Sequence, residues 1–273
     1  MNFFDIINVP LGYLFKGIYL VVKNYGFTII LFTLAIKVLL LPLNIKQQKS
    51  MKKMQALQPR LAKIQEKYAQ DKEKQSMETM KLYQEAGVNP MGGCLPMLLQ
   101  LPILFALYNI IRRPLSYIAM MGKDQIAEIA AKHPIEEGAA ALSQLELAKL
   151  ENIINFDFFG FDLSIIPNLT SIYVVIPLLA GFTTYLVSVI SSKISGSGNN
   201  AAAGNMKMMN VIFPLMTAWF SISLPAGLGL YWIVSNLFQI AQMFFLNKIL
   251  KVDTSFASVD EVHFRERKKK KKK

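Results

Sequence analysis

The sequence predicts an all-α integral membrane protein of five spanning helices, and three observations carry that expectation. Of 273 residues, 53% are hydrophobic and 18% charged, with a mean hydropathy of +0.33. A soluble domain carries about 25% charged residues. The apolar residues fall in blocks of 17–20 positions without an acidic side chain, and ~20 residues rising 1.5 Å each cross a hydrocarbon layer of about 30 Å. The net charge of +12 is concentrated between and beyond those blocks.

Residues 1–24 place Leu11, Leu14, Phe15, Ile18, Tyr19 and Val22 at helical spacing and leave Lys16, Gly17 and Lys23 off the stripe. That pattern predicts an amphipathic helix lying in the membrane interface. No basic region precedes the apolar stretch and no clear cleavage site follows, so a removed signal peptide is not expected. An uncleaved signal anchor is the alternative.

Within a core of residues 25–250, spans are expected at 26–45, 94–111, 171–190, 208–224 and 227–246. Pro225-Ala226 leaves little chain for a loop between the last two, which predicts a tight helical hairpin. In the 46–93 connection, Leu57, Leu61, Ile64 and Tyr68 keep a 4-3-4 spacing, and Met77, Met80 and Tyr83 resume the stripe after the polar Gln70–Gln75 turn. Two antiparallel helices with a narrow apolar seam fit this pattern, with Pro59 marking a kink or break in the first. In the 112–170 connection, Leu142, Leu145, Leu150 and Ile153 near Ile154 predict short amphipathic helices. Gly196–Gly204 reads as a flexible linker.

Charge sets the expected orientation. Residues 46–93 hold ten Lys and Arg and the chain from Lys248 holds ten more, whereas residues 114–169 hold three Lys against eight Asp and Glu. Connections rich in Lys and Arg stay cytoplasmic. The 46–93 hairpin and the C-terminus are therefore expected inside a bacterial plasma membrane, and the N-terminus and the 112–170 loop outside. Arg112 and Arg113 run against this scheme and are expected to snorkel to the outer headgroups.

No enzymatic chemistry is predicted. Cys94 is the single cysteine, and His133 and His263 stand far apart without partners at metal-ligand spacing. No phosphate-binding loop, dinucleotide fingerprint or nucleophile elbow occurs. Neither a metal nor a cofactor is expected.

Lys37 stands out instead. It lies near the middle of the first expected span, and none of the five spans contains an Asp or Glu to pair with it. A charge at the centre of a spanning helix costs roughly 2.5–3.5 kcal/mol on insertion scales, so such residues usually face a partner or a watery cavity. The alternative is that Lys37 snorkels to the cytoplasmic side. Thr33, Gln100, Thr183, Thr184, Ser188, Thr217, Ser221, Ser223, Asn236, Gln239 and Gln242 add polar groups to the spans. Ser and Thr also tighten helix packing, but an unpaired amide in lipid is costly. The tail 251–273 ends in Arg265, Arg267 and Lys268, Lys269, Lys270, Lys271, Lys272 and Lys273. Such a run attracts polyanions, ribosomal RNA and anionic lipid alike. No aromatic interleaves it, so sequence-specific nucleic-acid recognition is not expected.

Asn89-Pro90-Met91-Gly92-Gly93-Cys94-Leu95-Pro96 followed by Gln100-Leu101-Pro102-Ile103 resembles the YidC/Oxa/Alb membrane-protein insertase family. So do Gly26-Phe27-Thr28-Ile29-Ile30, Pro42-Leu43, Met54-Gln55-Ala56-Leu57-Gln58-Pro59, and Leu224-Pro225-Ala226-Gly227-Leu228 with Tyr231-Trp232. The resemblance covers residues 25–250 and points to the short bacterial type. It implies five transmembrane helices around a hydrophilic groove open to cytoplasm and lipid. A positive residue in the first span, usually arginine, there receives the polar, often acidic, outer segment of a client. Lys37 occupies that position, and Gln100 and Trp232 match groove-lining motif positions. Thr33, Thr184, Ser188, Asn236 and Gln239 complete the expected groove. Lysine keeps the charge of arginine but lacks its planar fork for bidentate carboxylate binding. The hairpin and basic tail resemble the family's client- and ribosome-facing elements. Newly made membrane proteins are the expected partners, with ribosomes and anionic lipid beside them and the Sec translocon left open. A ribosome- or RNA-binding membrane tether and a small-solute transporter are the competing functions.

Overall fold

The structure is a computed structural model and describes residues 5–88, 95–133, 143–194 and 203–250. Its chain divides into two compact units, one formed by Met1–Leu40, Met97–Leu186 and Ile212–Gln239, the other by Leu41–Pro96, Val187–Val211 and Ile240–Lys273.

In the first unit, α1 (Asp5–Val22) is followed by Lys23 in the left-handed region, and Asn24 opens α2 (Tyr25–Leu39). The Asn24 Oδ1 accepts from the Phe27 amide at 3.0 Å, which satisfies one of the helix's unpaired N-terminal donors. Phe15 on α1 is fully buried, its ring 5.7 Å from Tyr25 and 5.4 Å from Phe32. That contact uses one side of α1, because Tyr13, Leu20 and Val21 are exposed.

The first expected span does not run unbroken to residue 45. α2 stops at Leu39 and, after the single residue Leu40, α3 (Leu41–Lys67) begins, with Pro42 at its second position. The cause is Pro42: inside a continuous helix it would remove the bond to the Val38 carbonyl and push its ring against that group, while near a helix start the missing N–H costs nothing. Pro59, by contrast, neither breaks nor ends α3. Its ring is exposed while Leu57 and Leu61 on either side are buried, so packing holds the helix through it.

α5 (Leu95–Arg112), α6 (Pro114–Tyr117), α7 (Lys123–Ala131) and α8 (Gln144–Leu150) follow, then strands β1 (Asp157–Phe158) and β2 (Phe161–Asp162). Short helices were expected in the 112–170 connection; the strand pair was not. Phe159 and Gly160, with φ of 52° and 82°, supply the two left-handed residues of a tight hairpin turn. Leu145, Leu147 and Ala148 carry the buried side of α8, whereas Leu150, expected on that stripe, is exposed. Leu142 lies outside the described residues.

α9 (Val175–Ile194), α10 (Ala203–Ser223) and α11 (Ala226–Ile249) complete the chain. The 112–170 connection fixes the turn between the last two. Ala226 N–H donates to the Ile165 carbonyl at 2.8 Å and Gly227 N–H to that of Leu163 at 2.9 Å, so the first amides of α11 are satisfied by backbone. Gly26, Gly181 and Gly229 mark close approaches: a Cβ on Gly229 would lie 2.4 Å from Ile176 Cγ2 and 2.7 Å from Ser221 Oγ.

The second unit has its own small core. α3 and α4 (Lys72–Glu85), joined by a short turn, bury Leu57, Leu61, Leu82 and Val88 together, with Met54, Ile64, Tyr83 and Ala86 packed against them. Met77 and Met80, expected on the seam, are exposed instead.

Among the described residues two helices are long and apolar enough to cross a membrane, Ile172–Ile194 and Ala226–Ile249, and Tyr25–Leu39 with Leu41–Lys67 would add a third as one broken span. The other two expected spans coincide with α5 and with the Asn210–Ser223 part of α10. Leu178, Phe182, Leu215, Trp219, Leu237 and Phe244 lie exposed on these helices. A soluble protein would not leave so much apolar surface in water, and a bilayer accommodates it.

Candidate functional site

Thr33 and Lys37, one helical turn apart on α2, are both buried, Lys37 at 8% exposure. The Thr33 hydroxyl donates to the Ile29 carbonyl at 2.6 Å, so its helix already satisfies it. Lys37 is different. With the helix ending at Leu39, it stands in the last turn of α2 rather than in the middle of a continuous span. Carbonyls at a helix C-terminus favour a cation by roughly 0.3–1 kcal/mol, less than the roughly 2.5–3.5 kcal/mol cost of a charge in the membrane interior. Lys37 forms no ion pair among the described residues, whose salt bridges all lie elsewhere. The ammonium is thus buried and under-compensated.

The other expected groove residues fall into two groups within the first unit. Asn236 on α11 donates through Nδ2 to the Thr183 hydroxyl at 3.0 Å and the Thr184 hydroxyl at 2.8 Å. Those hydroxyls pass their own protons back along α9, Thr183 to the Leu179 and Ala180 carbonyls and Thr184 to that of Ala180 at 2.8 Å. Gln100 on α5 donates to the Tyr231 hydroxyl, a fully buried group of α11. Trp232 is half-buried against the apolar core, and Gln239 is half-buried without a side-chain hydrogen bond among the described residues.

Ser188 was expected beside these groups, but it belongs to the second unit, where its hydroxyl donates to Asn210 Oδ1 at 2.6 Å. Asn210 in turn donates to Ser192 Oγ at 3.0 Å. Also in this unit, Asn44 donates to Gln242 Oε1 at 3.4 Å, while buried Gln48 leaves its Nε2 without a hydrogen bond among the described residues. The basic tail residues Arg265, Arg267 and Lys268–Lys273 lie outside the described residues.

Sequence reasoning named Thr183 only as one polar group among many and Tyr231 only within a motif. It did not identify Tyr231 as the partner of Gln100 or, in the second unit, Asn210 as the partner of Ser188. Gln100 in an apolar helix demands a partner, but several hydroxyls and amides could have supplied it, and only the fold selects Tyr231. No group of three His, Cys, Asp or Glu able to hold a metal occurs among the described residues.

Apolar helices with exposed flanks, bracing amide–hydroxyl bonds and a buried lysine without an ion-pair partner among the described residues mark a helical membrane protein. The family model described as 60Kd inner membrane protein matches residues 17–254. The membrane protein insertase YidC of Caldanaerobacter subterraneus subsp. tengcongensis is 36% identical, covering 86% of this chain and 90% of that one. The YidC of Fusobacterium nucleatum is 37% identical over 83% and 88%, and MisCA of Bacillus subtilis 37% over 82% and 70%. Other relatives are much longer: the chain spans 34% of the Chlorobium limicola YidC. A crystal structure of an active YidC insertase with its first transmembrane domain resolved matches 88% of this chain and 46% of that one, at 28% identity and a TM-score of 0.55. The chain belongs to the 60Kd inner membrane protein family, that of the YidC insertases.

Proposed function

We propose that the protein inserts newly made membrane proteins into the bacterial plasma membrane through a hydrophilic groove bounded by five spans. In this reading α2 with the start of α3, α5, α9, α10 and α11 cross the membrane, α1 lies in the outer interface, and the α3–α4 hairpin and basic tail face the cytoplasm. The observation that carries the mechanism is Lys37: a buried cation with no anionic partner among the described residues.

A client's hydrophilic outer segment enters from the cytoplasmic side and exchanges part of its hydration for this charge. The apolar path it must cross is shortened accordingly. Its apolar helix leaves sideways into lipid, and transfer of that helix supplies the driving force at ~0.8 kcal/mol per buried methylene. Nucleotide hydrolysis has no place in this scheme. The tail gathers ribosomes or anionic lipid at the entry side, and its polyanion attraction falls with salt.

The test is insertion of a single-span client with an acidic outer tail into liposomes carrying the purified protein, scored by protease protection of the tail. Wild type is expected to protect the tail, Lys37→Ala to protect less, and Lys37→Glu to fail. Equal insertion by all three would remove Lys37 from the mechanism. No insertion above empty liposomes would favour the tether.

A further inference from the structure

The β1–β2 turn carries a feature the insertase mechanism does not use. Phe159 is 79% exposed and sits at φ 52°. A bulky side chain in the left-handed region is strained, and Asn or Gly would form the same turn without that cost. In water the position would combine backbone strain with an exposed ring.

Its neighbours form an aromatic cluster. Phe158 and Phe159 meet edge to face at 4.7 Å, and Phe27 of α2 packs on both, at 5.2 and 6.0 Å. Gly26 beside it permits this approach, since a Cβ there would lie 2.2 Å from the Phe158 ring. Phe27 also begins an exposed apolar stripe on α2 that continues through Leu31 to Val38. The aromatic tip therefore extends the face of α2 that the span assignment turns toward lipid. Ile166, Leu169 and Ile172, in the segment leading into α9, are exposed as well. The cation that meets this hairpin, Lys149 of α8, is taken up by Asp162 at the strand end, and the turn itself carries none.

We propose that the Phe158–Phe159 turn, braced by Phe27, is a lipid anchor seated at the acyl–headgroup boundary of the leaflet around the N-terminal end of α2. The inference rests on the reading that α2 spans the membrane. Lipid is the occupant because the patch is continuous with that stripe and is aromatic as interfacial belts are, with the hairpin's two carboxylates, Asp157 and Asp162, set back at the strand ends. The anchor holds the 157–162 hairpin, and with it the backbone that ties off the start of α11, at a fixed depth.

The experiment uses full-length protein in zwitterionic nanodiscs, with Cys94→Ser as background and an environment-sensitive dye on one introduced cysteine at a time. Phe159→Cys probes the tip, Val38→Cys the α2 stripe, and Lys63→Cys is the aqueous reference. Shallow spin-labelled lipids are expected to quench the Phe159→Cys dye about two-fold or more above the Lys63→Cys dye, with no dependence on salt. If the tip behaves like the reference while Val38→Cys is quenched by lipid, the anchor is overturned and the span assignment stands. If Val38→Cys also behaves like the reference, the span assignment fails and the anchor with it. Phe159→Asn, which suits the turn, supplies a check that does not depend on labelling. Accelerated amide exchange across 155–163 in nanodiscs but not in detergent supports the anchor, and unchanged exchange in both overturns it.

Discussion

The donors and acceptors at Asn236 show which polar residues of the interior are costly to alter. Thr183 and Thr184 spend their protons on α9 carbonyls and only accept from Asn236. Asn236→Leu therefore leaves no unpaired donor, whereas Thr183→Val with Thr184→Val strands the Asn236 amide. A buried donor left unsatisfied costs about 1–3 kcal/mol. The double threonine variant is expected to melt at lower temperature in detergent than Asn236→Leu; the reverse order would show that the amide has another partner. Gly229 has a steric role. Gly229→Ala must displace Ile176 or Ser221, both under 3 Å from the added Cβ, and overpacking of this kind costs about 1–3 kcal/mol. A thermal scan should show a clear loss, and an unchanged melting temperature would mean that α9 and α10 yield without cost. Composition identified Lys37 and Gln100 as groups needing explanation. It could not identify Tyr231 or Gly229, whose roles depend on which helix faces which.

At the scale of elements, apolar periodicity located the helices well and their ends poorly. The α2 boundary moved because Pro42 acts through a single carbonyl, a local effect that the apolar run around it conceals. The β1–β2 hairpin escaped notice because two-residue strands have no periodicity to read; its one signal was Phe159-Gly160, a pair in which phenylalanine stands where asparagine is usual. The α3–α4 pair was legible from Leu57, Leu61 and Ile64, yet Met77 and Met80 proved to be outside the seam. In the 112–170 connection, Lys149 pairs with Asp162, whose carboxylate also accepts from Ser164. Burial raises the Asp162 pKa, but Lys149 and Ser164 outweigh it and leave the group below its ordinary value. The bond to Asp162 moves Lys149 upward. A depressed carboxyl contributes stability above its unfolded pKa and loses it as pH falls through the folded value; a raised ammonium contributes below its unfolded pKa and loses it as pH rises through the folded one. The pair therefore stabilises between about pH 4 and pH 10. Asp162→Asn should lower the melting temperature at pH 7, with the difference shrinking below about pH 4. A gap that persisted in acid would assign the loss to the Ser164 turn instead.

For the whole molecule, the family membership and the apolar helices agree on a membrane protein, and the charge pattern gives the proposed orientation. The long relatives and the solved YidC chain extend beyond what this chain covers, so the proposed groove uses only elements within residues 25–250. In the proposed mechanism, insertion depends on one buried charge and the client segment it receives. The most direct measurement crosses the two: protease-protected insertion of clients with acidic, neutral or basic outer tails, by wild type and Lys37→Glu, in the same liposomes. Attraction by Lys37 predicts that wild type favours the acidic tail about tenfold over the basic one, a difference of about 1.4 kcal/mol, and that Lys37→Glu reverses the preference. A tail preference unchanged by Lys37→Glu would contradict the account.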